Sequence, residues 1–188
     1  MSPTLLRTAI LTTGVLLVPA AAHAHGGDVS AGGFVTGFLH PLTGLDHLLA
    51  ILAVGVVAAR RGGADLWRVP LFFAGMLVAG AALGPSIPIW PPLEIAVGIS
   101  AAALWLWAVA FANRGWLPTG AVLGTFALIH GVPHGWELST GGSWGATLAG
   151  ALVATAGLAG LVAMALTAAK RVRTTRQAAV REAGGQKR

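Results

Sequence analysis

Two stretches of the chain carry metal-binding side chains at helical spacing: His40-Pro-Leu-Thr-Gly-Leu-Asp46-His47 and His130-Gly-Val-Pro-His134-Gly-Trp-Glu137. Each helical residue advances about 100°, so His130, His134 and Glu137 form one narrow stripe. His40 and His47, seven apart, form another, with Asp46 one step aside. Glu94 stands just after Pro91-Pro92, and His25 follows a run of small residues. The chain has no cysteine, which excludes thiolate sites, iron–sulfur clusters and disulfides. Any metal must therefore be held by nitrogen and oxygen. Imidazole combined with carboxylate suits nickel, cobalt, zinc or copper(II), whereas magnesium or calcium would want oxygen alone.

The elements that must position these groups are apolar. Of 188 residues 55% are hydrophobic and only 10% charged, against about 25% charged in a soluble domain. This predicts an all-α, polytopic transmembrane bundle. Residues 1–24 read as a secretory signal, with Arg7 before an apolar stretch and small residues up to Ala24. Cleavage after Ala24 makes His25 the mature N-terminus; cleavage after Ala22 is the alternative. Five spans are predicted after the signal, making six hydrophobic segments in the precursor: about 37–59, 67–84, 93–112, 116–138 and 144–169. The bundle then occupies 25–169, and 170–188 forms a basic tail.

The net charge of +6 follows the same topology. With the mature N-terminus outside, Arg60, Arg61, Arg68, Arg114 and the seven basic residues of the tail all fall inside, as the positive-inside rule requires. The prediction is a multi-pass membrane protein with its N-terminus outside and its C-terminus in the cytoplasm. No basic stretch is interleaved with aromatics, which argues against nucleic acid. At 1.5 Å per residue Asp46 lies about 21 Å above Arg60, and His130 about 24 Å above Arg114. Both motifs thus reach the outer third of a core about 30 Å thick, and the helices that carry them are expected to build one shared site.

Trp67, Trp90, Trp116, Trp136 and Trp144 sit at predicted span ends, where indoles anchor at the headgroups. The pairs Gly80/Gly84 and Gly120/Gly124 have the small-xxx-small spacing of close helix packing, within one chain or in a homo-oligomer. Pro41, Gly44, Gly131, Pro133 and Gly135 invite unwound or kinked backbone beside the ligands.

Together the motifs resemble those of the HupE/UreJ family of bacterial membrane proteins, over nearly the whole chain. The resemblance implies secondary transport or facilitated diffusion of nickel, or of cobalt, from periplasm to cytoplasm, with a link to hydrogenase or urease maturation. It implies no prosthetic group, the metal being the substrate. The matching residues are His40, Asp46 and His47 in the first motif and His130, His134 and Glu137 in the second. Glu94, Glu137 and His25 are assigned to gathering the ion, and Asp46, His47 and His130 to replacing its water. No P-loop is present, so this chain does not hydrolyse ATP. Two alternatives remain from the residues themselves: a membrane-embedded zinc hydrolase with Glu137 or Asp46 as base, and a metal sensor or assembly protein docking through its basic tail.

Overall fold

A computed structural model describes residues 33–88, 91–139 and 143–185. The signal segment and His25 lie outside the described residues. The described chain is helices joined by short turns, with no strand among the described residues. The order is α1 (Phe34–Thr43), α2 (Leu45–Arg61), α3 (Asp65–Leu83), a 3-10 turn at Gly84–Ser86, α4 (Pro91–Ala110), α5 (Trp116–Ser139) and α6 (Trp144–Gly185). Among the described residues two helices, Asp65–Ser86 and Trp144–Glu182, are long and apolar enough to cross a membrane. A third span is counted if α1 and α2 cross as one bent unit.

The first helix departs from expectation. The single helix expected over 37–59 is two helices meeting at 82°. The break falls at Gly44, whose backbone is extended (φ −80°, ψ 118°). The Gly44 amide and the Thr43 hydroxyl both close back onto the His40 carbonyl, at 3.1 and 3.0 Å, so α1 ends there. A new helix N-terminus then starts inside the bundle, with Asp46 in its first turn. The opposite happens in α5, where Gly131, Pro133 and Gly135 were expected to disturb the backbone. The helix runs on through Pro133 to Ser139.

Those glycines serve contact rather than flexibility. A Cβ at Gly131 would collide with the Leu77 carbonyl, one at Gly135 with the Ala81 carbonyl, and one at Gly80 with the Leu128 carbonyl. Helices α3 and α5 therefore pack backbone on backbone, which small residues permit in a membrane where apolar burial gives no drive. Gly80 and Gly84 take part as expected, but their partners are Gly131 and Gly135. The expected pair Gly120/Gly124 makes only ordinary contacts to the Phe72, Met76 and Trp116 side chains. Gly37 and Gly150 produce a second close approach, between α1 and α6, against the backbone of Thr147 and Phe34.

Below the motif residues the interior is apolar and closely filled. Ile51, Val54 and Val57 of α2 meet Phe73 and Leu77 of α3, Leu104 and Ala108 of α4, and Leu123 and Ala127 of α5. The far end of this core is closed by guanidinium groups. Arg60 donates to the carbonyls of Ala108 (2.9 Å) and Val109, in the last turn of α4, where no intrahelical donor is left. Arg61 donates to the Arg114 carbonyl at 2.6 Å, pairs with Asp65 at 2.6 Å and lies over the Trp116 ring, 5.5 Å from its centroid. These two arginines carry more than a topological signal, since they cap a helix C-terminus and tie three elements together. Trp136, expected as a lipid anchor, instead donates its indole N–H to the Ile87 carbonyl at 2.7 Å. The basic segment after Ala169 continues α6, a helix of 42 residues that is exposed through its basic part.

Enlarging a glycine at the α3–α5 contact should cost about 1–3 kcal/mol or more, because carbonyls cannot move aside as side chains do. Gly135→Leu is expected to lower the unfolding temperature of the detergent-solubilised protein by several degrees and reduce folded yield. Gly120→Ala should leave both unchanged. Equal effects from the two would contradict the assignment of the contact.

Candidate metal centre

The helix break places Asp46 and His47 side by side at the start of α2. Asp46 lies where the helix dipole and exposed amides favour negative charge. That matters because the carboxylate is 1% exposed, and a buried charge needs compensation. His47 supplies part of it by donating its Nδ1 hydrogen to Asp46 Oδ1 at 2.9 Å. Gly44 leaves room for this pair: a Cβ there would stand 2.8 Å from His47 Nδ1 and 3.2 Å from Asp46 Oδ1.

With Nδ1 committed to the carboxylate, the other nitrogen of His47 points inward. Its Nε2 meets His134 Nε2 of α5 at 2.5 Å. One turn earlier on α5, His130 Nε2 lies 3.7 Å from Asp46 Oδ2. The tautomer of His130 is set by Ser100 of α4, a residue that sequence reasoning missed. The Ser100 hydroxyl donates to the Val97 carbonyl at 2.6 Å. Its oxygen is thereby left to accept from His130 Nδ1 at 3.0 Å. This leaves the Nε2 lone pair of His130 on the side of the carboxylate. Ser100 sits in the middle of α4, and no motif signal marks it.

His40, from the last turn of α1, completes the cluster. Its ring lies 4.8 Å from that of His134 and 5.2 Å from that of His47, centroid to centroid. The structure thus brings five of the eight sequence-predicted residues together: His40, Asp46, His47, His130 and His134. Ligand atoms of His40, His47 and His134 lie within 4.8 Å of one another, and so do those of Asp46, His47 and His130. Glu94 and Glu137 fall on α4 and α5, with side chains outside the described residues, as is the whole of His25.

Beside the cluster lies a cavity of about 30 Å³, bordered by His40, His47 and His134 and by the threonines Thr36, Thr147 and Thr155. Its size suits one water or one small ion. Four imidazoles and a carboxylate converging from α1, α2 and α5 offer nitrogen and oxygen donors, with no sulfur, to a borderline divalent cation.

A buried histidine–carboxylate cluster inside apolar helices has the donor set of a cation site in a membrane protein. The chain belongs to the HupE/UreJ family: the profile of the HupE / UreJ protein matches residues 13–187. Among curated proteins it is similar to Protein HupE of Rhizobium leguminosarum bv. viciae, 41% identical over 145 residues, which cover 77% of this chain and 75% of that protein. No solved structure matches. The family is one of transporters rather than enzymes and is associated with nickel or cobalt handling for hydrogenase or urease. A transporter of this kind has no prosthetic group, the metal being its cargo.

Partners that orient a ligating histidine typically contribute 10–100-fold to metal affinity. Gly44→Ala, which displaces the His47 ring from Asp46, is therefore expected to weaken nickel binding to the purified protein by about that factor while helix content is kept. Isothermal titration with unchanged affinity in this variant would contradict the orienting role given to the Asp46–His47 pair.

Proposed function

We propose that the protein carries a divalent transition metal, nickel first and cobalt next, from periplasm to cytoplasm across the bacterial inner membrane. The observation that carries this reading is the burial of three imidazoles and one carboxylate among apolar helices, where each group alone would be costly. A cation is the partner that compensates them together. An ion with metal–nitrogen distances of about 2.1 Å holds neighbouring ligands about 3 Å apart, so its arrival would part His47 and His134 slightly.

In this reading the mature chain crosses the membrane five times, with the signal removed and the basic end of α6 in the cytoplasm. His25, Glu94 and Glu137 gather the ion at the outer face. His40, His47 and His134, with Asp46 and His130, replace its water one ligand at a time. Release inward requires that binding not be too strong, since an ion held as in a structural site would stay. It also requires the apolar core beneath the cluster, formed around Ile51, Val54, Val57, Phe73 and Leu77, to open. Movement is by facilitated diffusion or secondary coupling. The 30 Å³ cavity is far smaller than a peptide or ester substrate, which supports carriage over hydrolysis.

Liposomes holding the purified protein alone provide the test. Nickel is expected to enter wild-type vesicles at least tenfold faster than protein-free ones. His47→Ala is expected to abolish that flux while the protein inserts in normal amount, and a reporter fused after Arg188 should read cytoplasmic in cells. Loss of insertion, or flux unaffected by the substitution, would contradict the reading.

A further inference from the structure

We infer that the cluster is two successive positions for a single divalent ion, sharing only His47, through which the ion passes in a fixed order. This rests on the transport reading and adds an internal sequence to it. The two ligand groups, His40/His47/His134 and Asp46/His47/His130, overlap at one residue. His47 faces them with different atoms, Nε2 towards His134 and Nδ1 towards Asp46. Its ring therefore stands between the positions, with one nitrogen on each side.

The surroundings give the order. The cavity is bordered by His40, His47 and His134, the first group, but by neither Asp46 nor His130. Asp46 and His130 are each 1% exposed, whereas His40 is half-buried. An ion arriving through the cavity meets the all-nitrogen group first. Only the second group contains a carboxylate, whose attraction for a dication strengthens as water is left behind. Transfer therefore runs from a neutral capture position to a charged, drier one. Two dications a few ångströms apart would repel strongly with one carboxylate between them, so one ion occupies the pair at a time. For the ion to pass from Nε2 to Nδ1, the Nδ1 proton leaves to water and Nε2, freed of the ion, takes a proton from water in the cavity, so His47 stays neutral.

A transporter with one site and a transporter with two ordered positions respond differently to loss of the inner ligands. Cobalt(II) serves as probe, because its visible spectrum reports coordination, with the full-length protein in lipid nanodiscs. Wild type should bind one cobalt per chain. Asp46→Asn and His130→Ala should still bind one, within about threefold of wild-type affinity and with an altered spectrum, while cobalt flux in liposomes falls more than tenfold. His40→Ala and His134→Ala should weaken capture at least tenfold. Ser100→Ala, which disturbs His130 without removing a ligand, should behave as a milder inner variant and guards against misfolding of the others. If inner and outer variants lose cobalt binding equally, there is one position and the ordered passage is wrong, although wild-type flux would leave the transport reading intact. Wild-type protein that neither binds nor carries cobalt or nickel would overturn both.

Discussion

The arrangement depends on one buried charge. Asp46 is enclosed at the start of α2, and the helix break, His47, His130 and Ser100 are grouped around its carboxylate. The helix break at Gly44 gives it a helix N-terminus in the interior of the bundle. His47 hydrogen-bonds one carboxylate oxygen at 2.9 Å, and His130 approaches the other at 3.7 Å. Ser100 then fixes which nitrogen His130 presents. The break itself is made locally, by the Gly44 amide and the Thr43 hydroxyl closing on the His40 carbonyl, and Asp46 occupies the helix N-terminus that it opens.

A charge held this way demands rigid surroundings, and glycine supplies them. Backbone-on-backbone contact of α3 with α5 fixes the height of His130 and His134, because Gly131 and Gly135 flank the second of these histidines. The contact of α1 with α6 at Gly37 and Gly150 similarly fixes His40. At the opposite end, Arg60 and Arg61 tie α2 to the end of α4 and to the turn before α5. The bundle is thus clamped at both ends of an apolar core, and the clamp at the arginine end is the one built from polar, exchangeable bonds.

Much of this was legible in the sequence. Spacing and depth alone put Asp46, His47, His130 and His134 at one level, since ligand types on one face of each of two separate apolar segments have few other uses. The helical class followed from composition, and membership of the family from the two motifs. What was not legible depends on tertiary neighbours. Gly44 and Gly131 look alike as residues, yet one ends a helix and the other only makes room, because a facing carbonyl decides the second case and local hydrogen bonds the first. Ser100 has no motif, and its role exists only once α4 lies beside α5. The arginines were read as charge, while their hydrogen bonds to α4 required knowing where α4 ends.

X-ray absorption at the nickel edge, on wild-type protein loaded with one equivalent of nickel in lipid, tests the central claim most directly. The account predicts a shell of nitrogen and oxygen neighbours with the outer-shell scattering of at least two imidazole rings and no sulfur. A shell of oxygen alone, without imidazole scattering, would mean that the ion is held elsewhere and would contradict it.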